Sequence, residues 1–174
     1  MKSLFPLVLI AVLISGCATS HSLPSTELRY GDAYLPPIHV LTDDPLKGGE
    51  IRNSLRATGM FSDVISGQPP ADGYAVRVNV AQERDLPPFP VILLSAATLF
   101  LLPISDSMDS RLGFTLMKGG QTLKRYDYEN KTQRYTWLLD RKEEATEENL
   151  RRITRAFAQD VQRDGLMPAV EAKP

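Results

Sequence analysis

Between Pro90 and Pro103 the chain reads Val-Ile-Leu-Leu-Ser-Ala-Ala-Thr-Leu-Phe-Leu-Leu, without a charge and with only Ser95 and Thr98 to interrupt its apolar character. A run of this kind limits the fold strongly, because something must hide it from water. As a helix, the twelve residues from Val91 to Leu102 reach ~18 Å against a hydrocarbon layer of ~30 Å, so the run does not span a bilayer. Ile92, Leu93, Leu94, Leu99, Phe100, Leu101 and Leu102 would occupy every side of that helix and leave no charged stripe for solvent. Pro87, Pro88 and Pro90 precede the run and Pro103 follows it, which makes the segment 89–104 a delimited excursion between two strands. Three destinations stay open: the core beneath a sheet, a membrane surface, or a groove on a partner protein.

The N-terminus bears on that choice. "MKSLFPLVLIAVLISGC" places one positive residue, Lys2, before an apolar stretch from Leu4 to Ile14, and small residues before a cysteine. This is the layout of a secretory signal, and its apolar stretch is too short for a spanning helix. The ending Ile14-Ser15-Gly16-Cys17 resembles the lipobox of bacterial lipoproteins. That resemblance implies cleavage between Gly16 and Cys17 by the lipoprotein signal peptidase, a diacylglycerol on the Cys17 thiol, and an acyl chain on the new amine. The competing reading is an ordinary secretory signal with a chance cysteine. Cys17 is the single cysteine of the chain, so no internal disulfide forms, and a covalent fate for an exported thiol is the economical account. Several acyl chains, at ~0.8 kcal/mol per buried methylene, anchor far more firmly than one. In envelopes that sort lipoproteins, an Asp directly after the lipidated cysteine marks inner-membrane retention. Ala18 stands here, so the resemblance implies the outer membrane, on its periplasmic face.

These features divide the chain into a leader at 1–16, a polar and proline-punctuated tether at 17–36, a single domain at 37–166 and a loose tail at 167–174. Within the domain, Ile38 and Val40 share one side of a short strand that ends in turn residues Asp43, Asp44 and Pro45. Leu46, Ile51 and Leu55 follow at near-helical spacing, with Gly59 as the stop and Gly48 and Gly49 weakening the first turn. "MFSDVIS" is a short strand, and Tyr74, Val76, Val78 and Val80 alternate along a longer one. After the apolar segment, three strands are expected as a meander. Leu112, Phe114 and Leu116 share a face of the first, and Gly119 with Gly120 forms a tight hairpin turn. A bulge or a two-sided strand near Leu123 follows, then a second turn at 129–132, and Tyr135, Trp137 and Leu139 on the third strand. The last helix carries Leu150, Ile153, Phe157 and Val161 on one face, is capped by Asp140 or Thr146, and ends before Gly165. Helices on one face of a mostly antiparallel sheet make an α+β two-layer sandwich.

Charge and motifs restrict function. Twenty basic residues against twenty-one acidic ones create no field that would gather nucleic acid. Of the two histidines, His21 falls in the tether and His39 out of phase with Ile38 and Val40. No metal-ligand spacing, nucleophile elbow or phosphate loop occurs, so no catalytic residue, metal or cofactor is expected. "DSMDS" at 106–110 lacks the ligand spacing of a calcium loop. Tyr126, Tyr128, Tyr135 and Trp137 serve either as cross-strand packing or as an exposed platform for sugar, peptide or protein. "LRATGMFSDVI" resembles the opening unit of small periplasmic lipoprotein domains, among them auxiliary lipoproteins of envelope transporters. The expected role is therefore non-catalytic and accessory, with the membrane and other envelope proteins as partners. The alternatives are a transporter-associated lipoprotein that holds a lipid or hydrophobic ligand and, lacking a recognisable base and nucleophile, a cell-envelope hydrolase.

Overall fold

A computed structural model describes residues 19–28, 33–85, 87–98, 104–136 and 142–171. Its frame is a six-stranded open sheet in the order β1-β7-β6-β5-β3-β4. The strands are β1 (Thr19–His21), β3 (Ile38–Leu41), β4 (Val64–Ser66), β5 (Tyr74–Asp85), β6 (Ile104–Lys118) and β7 (Gln121–Thr136). A two-stranded ribbon pairs β2 (Ala33–Tyr34) with β8 (Val170–Glu171). Helices α1 (Pro45–Arg56) and α3 (Lys142–Asp164) cover one face of the sheet, and the short helix α2 (Phe89–Ala97) connects β5 to β6. The fold is α+β, as the pattern of elements predicts. The sheet is mixed, because β3 lies between β4 and β5 and runs parallel to both.

Local chemistry accounts for the elements. The Asp44 carboxylate caps α1 by accepting from the amide of Leu46 at 3.0 Å and of Lys47 at 3.4 Å, and Pro45 takes the first helical position, where no N–H is needed. Gly59, at φ 65°, ends that helical region in a conformation that disfavours other residues. The turn between β6 and β7 needs positive φ at two successive positions, and Gly119 and Gly120 supply it. Leu116 pairs with Lys124 and Met117 with Thr122, so Leu123 is the extra residue of a bulge, where the sequence places the irregularity.

The core lies between the sheet and the two long helices. Val76, Val78, Phe114 and Leu116 face Ile51 and Leu55 of α1 and Ile153, Phe157 and Val161 of α3, all buried. Phe157 stacks on Phe114 at 4.4 Å between ring centroids and meets Tyr126 edge-on at 5.5 Å. The opposite face carries solvent-exposed ion pairs, including Arg111 with Glu129 at 3.5 Å and Lys131 with Asp109 at 3.6 Å.

Two expectations about the strands are corrected. The predicted meander of three strands is a hairpin of two, because β7 continues unbroken through 129–132 and stays in register with β6 as far as Thr136. Asn130 and Thr132 read as turn residues but are buried, polar and partnered. The 106–110 stretch likewise belongs to β6, with Met108 and Ser110 turned inward and Asp109 paired to Lys131. Residues on either side of the expected domain also join the body: Leu35 and Met167 are part of the core, and Thr19–His21, within the expected tether, is a strand.

Candidate functional site

β5, β6 and β7 are the long strands of the sheet, with 12, 15 and 16 residues against 4 for β3. Their far ends, beyond the reach of β3 and β4, carry three features: the helix α2, the N-terminal strand β1, and a groove beside the helices.

α2 is entered from Asp85 and left toward Ile104, which pairs with Thr136 at the very end of the sheet. The described part of the apolar segment, 89–98, does not join the core. Phe89, Leu93 and Leu94 are 69%, 53% and 59% exposed, and Val91 and Ile92 are also exposed, whereas Ser95 is 2% exposed. This is the inverse of a helix made for water, in which the apolar side is the covered one. Thr98 closes the helix by donating its hydroxyl to the carbonyl of Ser95 at 2.9 Å. Leu99, Phe100, Leu101 and Leu102 lie outside the described residues.

β1 is antiparallel to β7, pairing Thr19 with Arg134, Ser20 with Gln133 and His21 with Thr132. A polar network holds it. The buried Asn130 accepts from the Leu23 amide at 2.8 Å and the Ser22 hydroxyl at 3.3 Å, and donates to Asn149 of α3 at 2.6 Å. Asn149 in turn donates to the Ser110 hydroxyl of β6 at 2.6 Å. His21 Nδ1 lies 3.0 Å from the Thr132 hydroxyl, and Arg152 donates to the Leu23 carbonyl at 3.2 Å. Burial, reinforced by the Arg152 charge, lowers the His21 pKa below its ordinary value. Cys17 and Gly16 lie outside the described residues.

The groove encloses about 660 Å³ between α1, α3 and the strand ends, with Asn53, Ala57, Met108, Arg134, Glu147 and Leu150 among its lining. At its strand side, Arg84 and Arg134 both pair with the carboxylate of Asp106, Arg134 at 3.7 Å. Its volume falls within the ~300–1,000 Å³ range of small-molecule sites, but its lining mixes acids, bases and apolar residues without a convergent reactive set. Among the described residues, no three His, Cys, Asp or Glu side chains come together as metal ligands.

Of the four aromatic residues offered for packing or for a platform, two pack against a helix. Tyr126 and Tyr128 face α3, where their hydroxyls donate to Asp164 and Asp160, each at 2.7 Å. Desolvation and these carboxylates push both phenol pKa values well up. Tyr135, of opposite parity on the same strand, is 52% exposed, and Trp137 lies outside the described residues. Sequence reasoning missed the Asn130, Asn149 and Ser110 network. The signal was present in strand parity, since 126, 128, 130, 132 and 134 all point inward once β7 is read as one strand.

No family model matches the chain, and no curated protein matches it. Solved structures match the chain at low similarity. A minor lipoprotein from Acinetobacter baumannii is 17% identical with a TM-score of 0.43, covering 79% of this chain and 96% of that one. The rare lipoprotein B of Shewanella oneidensis is 12% identical with a TM-score of 0.40, covering 74% and 92%. A putative neuraminyllactose-binding hemagglutinin homolog from Helicobacter pylori is 9% identical with a TM-score of 0.45, covering 81% and 90%. Similarity at this level carries no functional inference.

Proposed function

We propose that this chain is a lipid-anchored envelope protein on the periplasmic face of the outer membrane, with a non-catalytic, accessory role. The observation that carries the reading is the Ile14-Ser15-Gly16-Cys17 ending of the leader, set directly before a strand that belongs to the folded body. A mature chain starting at Cys17 keeps the whole sheet. The partners of such a protein are the membrane and other envelope proteins, and nucleic acid is not among them.

Intact-mass measurement of the protein extracted from its native envelope tests the reading. The N-terminal peptide is expected to begin at Cys17 and to carry the added mass of a diacylglycerol and an acyl chain. Cys17→Ser is expected to retain its leader and lose that mass. A mature chain with an unmodified Cys17 refutes the anchor.

The groove favours a second reading, in which the same anchored protein holds a lipid or another hydrophobic ligand for a transport system. Met108, Ala57 and Leu150 offer apolar contact beside the charged Arg84, Asp106 and Arg134 cluster, a combination that suits an amphiphile. Lipid co-purifying in stoichiometric amount, and lost on Leu150→Glu, would support this reading; a ligand-free protein in mass spectra would refute it.

A further inference from the structure

We infer that the exposed side of α2 is seated in the bilayer leaflet that receives the acyl chains of Cys17, so that the protein meets its membrane at two points and in one orientation. The inference rests on the proposed lipidation of Cys17. It adds a contact surface, with phospholipid as its occupant, and a fixed attitude of the sheet.

Three observations lead there. Phe89, Val91, Ile92, Leu93 and Leu94 turn outward from the far end of the sheet with no covering element among the described residues. Helix α2 has nine residues, ~13 Å, and no helix among the described residues is long and apolar enough to cross a membrane. A short apolar helix of this kind, too short to cross, suits an interfacial segment at the boundary of the acyl layer.

The strand register supplies the second observation. β1 runs antiparallel to β7, so the chain preceding Thr19 heads toward the Thr136 end, the same end from which α2 projects. β1 stands two strands from β6 and three from β5, the strands that hold the two ends of α2. At ~4.8 Å per strand the two attachment points are only ~10–14 Å apart.

The third is the polar network around Asn130, which keeps β1 on the sheet and leaves only Ala18, a backbone reach of at most ~7 Å, between Thr19 and the proposed lipidation site Cys17. A long flexible leash would let α2 turn away from the bilayer; a leash this short brings α2 against it. Docking of α2 into a partner protein would not require the anchor to leave from the same end of the sheet.

Spin labels on the full-length lipidated protein in phosphatidylethanolamine and phosphatidylglycerol vesicles test the inference. Leu93→Cys and Leu123→Cys place one label each on α2 and on the bulge at the opposite end of β7, at residues that are exposed and outside the core. Native Cys17 is blocked by lipid and takes no label. The ratio of oxygen to nickel-chelate collision is expected to be several-fold higher at position 93 than at 123. Equal ratios with lipid present on Cys17 overturn the two-point attachment and leave the anchor standing. An unmodified Cys17 overturns both. A label at 93 that is aqueous in vesicles but shielded in native envelopes also overturns the inference, and assigns α2 to a partner protein.

Discussion

Asn130→Leu would isolate what holds the N-terminal strand. The replacement keeps the branched shape of the buried side chain, in a somewhat larger volume, and removes its polar atoms, which serve Leu23 and Ser22 on one side and Asn149 on the other. Asn149 is 2% exposed, so its carbonyl oxygen loses its partner where water does not easily substitute, at a cost of about 1–3 kcal/mol. The Leu23 amide, only partly buried, recovers a water and costs less. With partial loss of the β1 pairing, the sum is about 2–4 kcal/mol, and at about 2–4 °C per kcal/mol the melting temperature should fall by roughly 4–16 °C. Thermal unfolding by circular dichroism gives the first number. Amide exchange gives the second: Leu23 should lose protection in the variant while Phe114 and Phe157 keep theirs. Asn130 and Asn149 act as one unit, so Asn130→Leu combined with Asn149→Leu should cost less than the two changes summed. A variant that melts within about 1 °C of the parent with Leu23 still protected would refute the network as the fastening of β1.

Adjacent glycines of α1 should respond in opposite directions. Gly49→Ala meets nothing within 4 Å and should stabilise by about 0.5–1 kcal/mol, whereas a Cβ at the buried Gly48 would stand 2.5 Å from Thr42 Cγ2 and should lower the melting temperature. Because the folded pKa of His21 is depressed, its contribution is complete above the ordinary value of 6.5 and is lost as pH falls through the lowered one; amide protection factors at Thr19–Leu23, taken relative to the intrinsic rate at each pH, should fall on acidification, and not in His21→Gln. Asp164 is likewise held below its ordinary value, by hydrogen bonds from Lys124 and Tyr126, so its stabilisation is present above pH ~4 and lost in acid, and Asp164→Asn should flatten the acid limb of a stability profile. Tyr126 and Tyr128, with raised pKa values, contribute fully below pH ~10 and lose that contribution as pH rises, which a spectrophotometric titration of the phenols would detect as late ionisation.

Much of the near half of the molecule was legible because its side chains obey one period at a time. Alternation gave Tyr74, Val76 and Val78 on one face of β5, helical spacing gave Ile51 with Leu55 and Ile153 with Phe157, and paired glycines gave the hairpin turn. The far half was harder, for a physical reason: there the inward positions of the same strands are polar. Asn130, Thr132 and Arg134 continue the inward parity of Tyr126 and Tyr128, but apolar periodicity stops at Tyr128. Polar residues in a strand look like a turn unless their partners are known, and those partners lie far away in sequence, at Leu23 and Asn149. The α2 segment was ambiguous for the opposite reason. An uncharged run of twelve residues suits a core, a bilayer or a partner, and only the exposure of Phe89, Val91, Ile92, Leu93 and Leu94 shows that its described part stands outside the core.

The polar character of that far end follows from its geometry. β5, β6 and β7 extend past the part of the sheet flanked by β3 and β4, so side chains there lack the apolar enclosure that makes burial of Val or Phe favourable. Inward residues that remain must satisfy one another, and they do so through Asn130, Asn149 and Ser110 and through Arg84, Asp106 and Arg134. Such pairings contribute less net stability than packed apolar groups but fix geometry closely, since each partner has only a narrow range of distance and angle. That is what the proposed attachment requires of this end. The hydrophobic half between α1, α3 and the sheet supplies stability; the polar half holds β1 and the base of α2 in a set relation. If β1 were instead a flexible linker, Asn130 could be polar, apolar or absent without consequence for the proposed attachment. Its burial between β1 and α3 ties the N-terminal strand to the fold, and on that proposal loosening β1 should change how α2 meets the membrane before it changes the core.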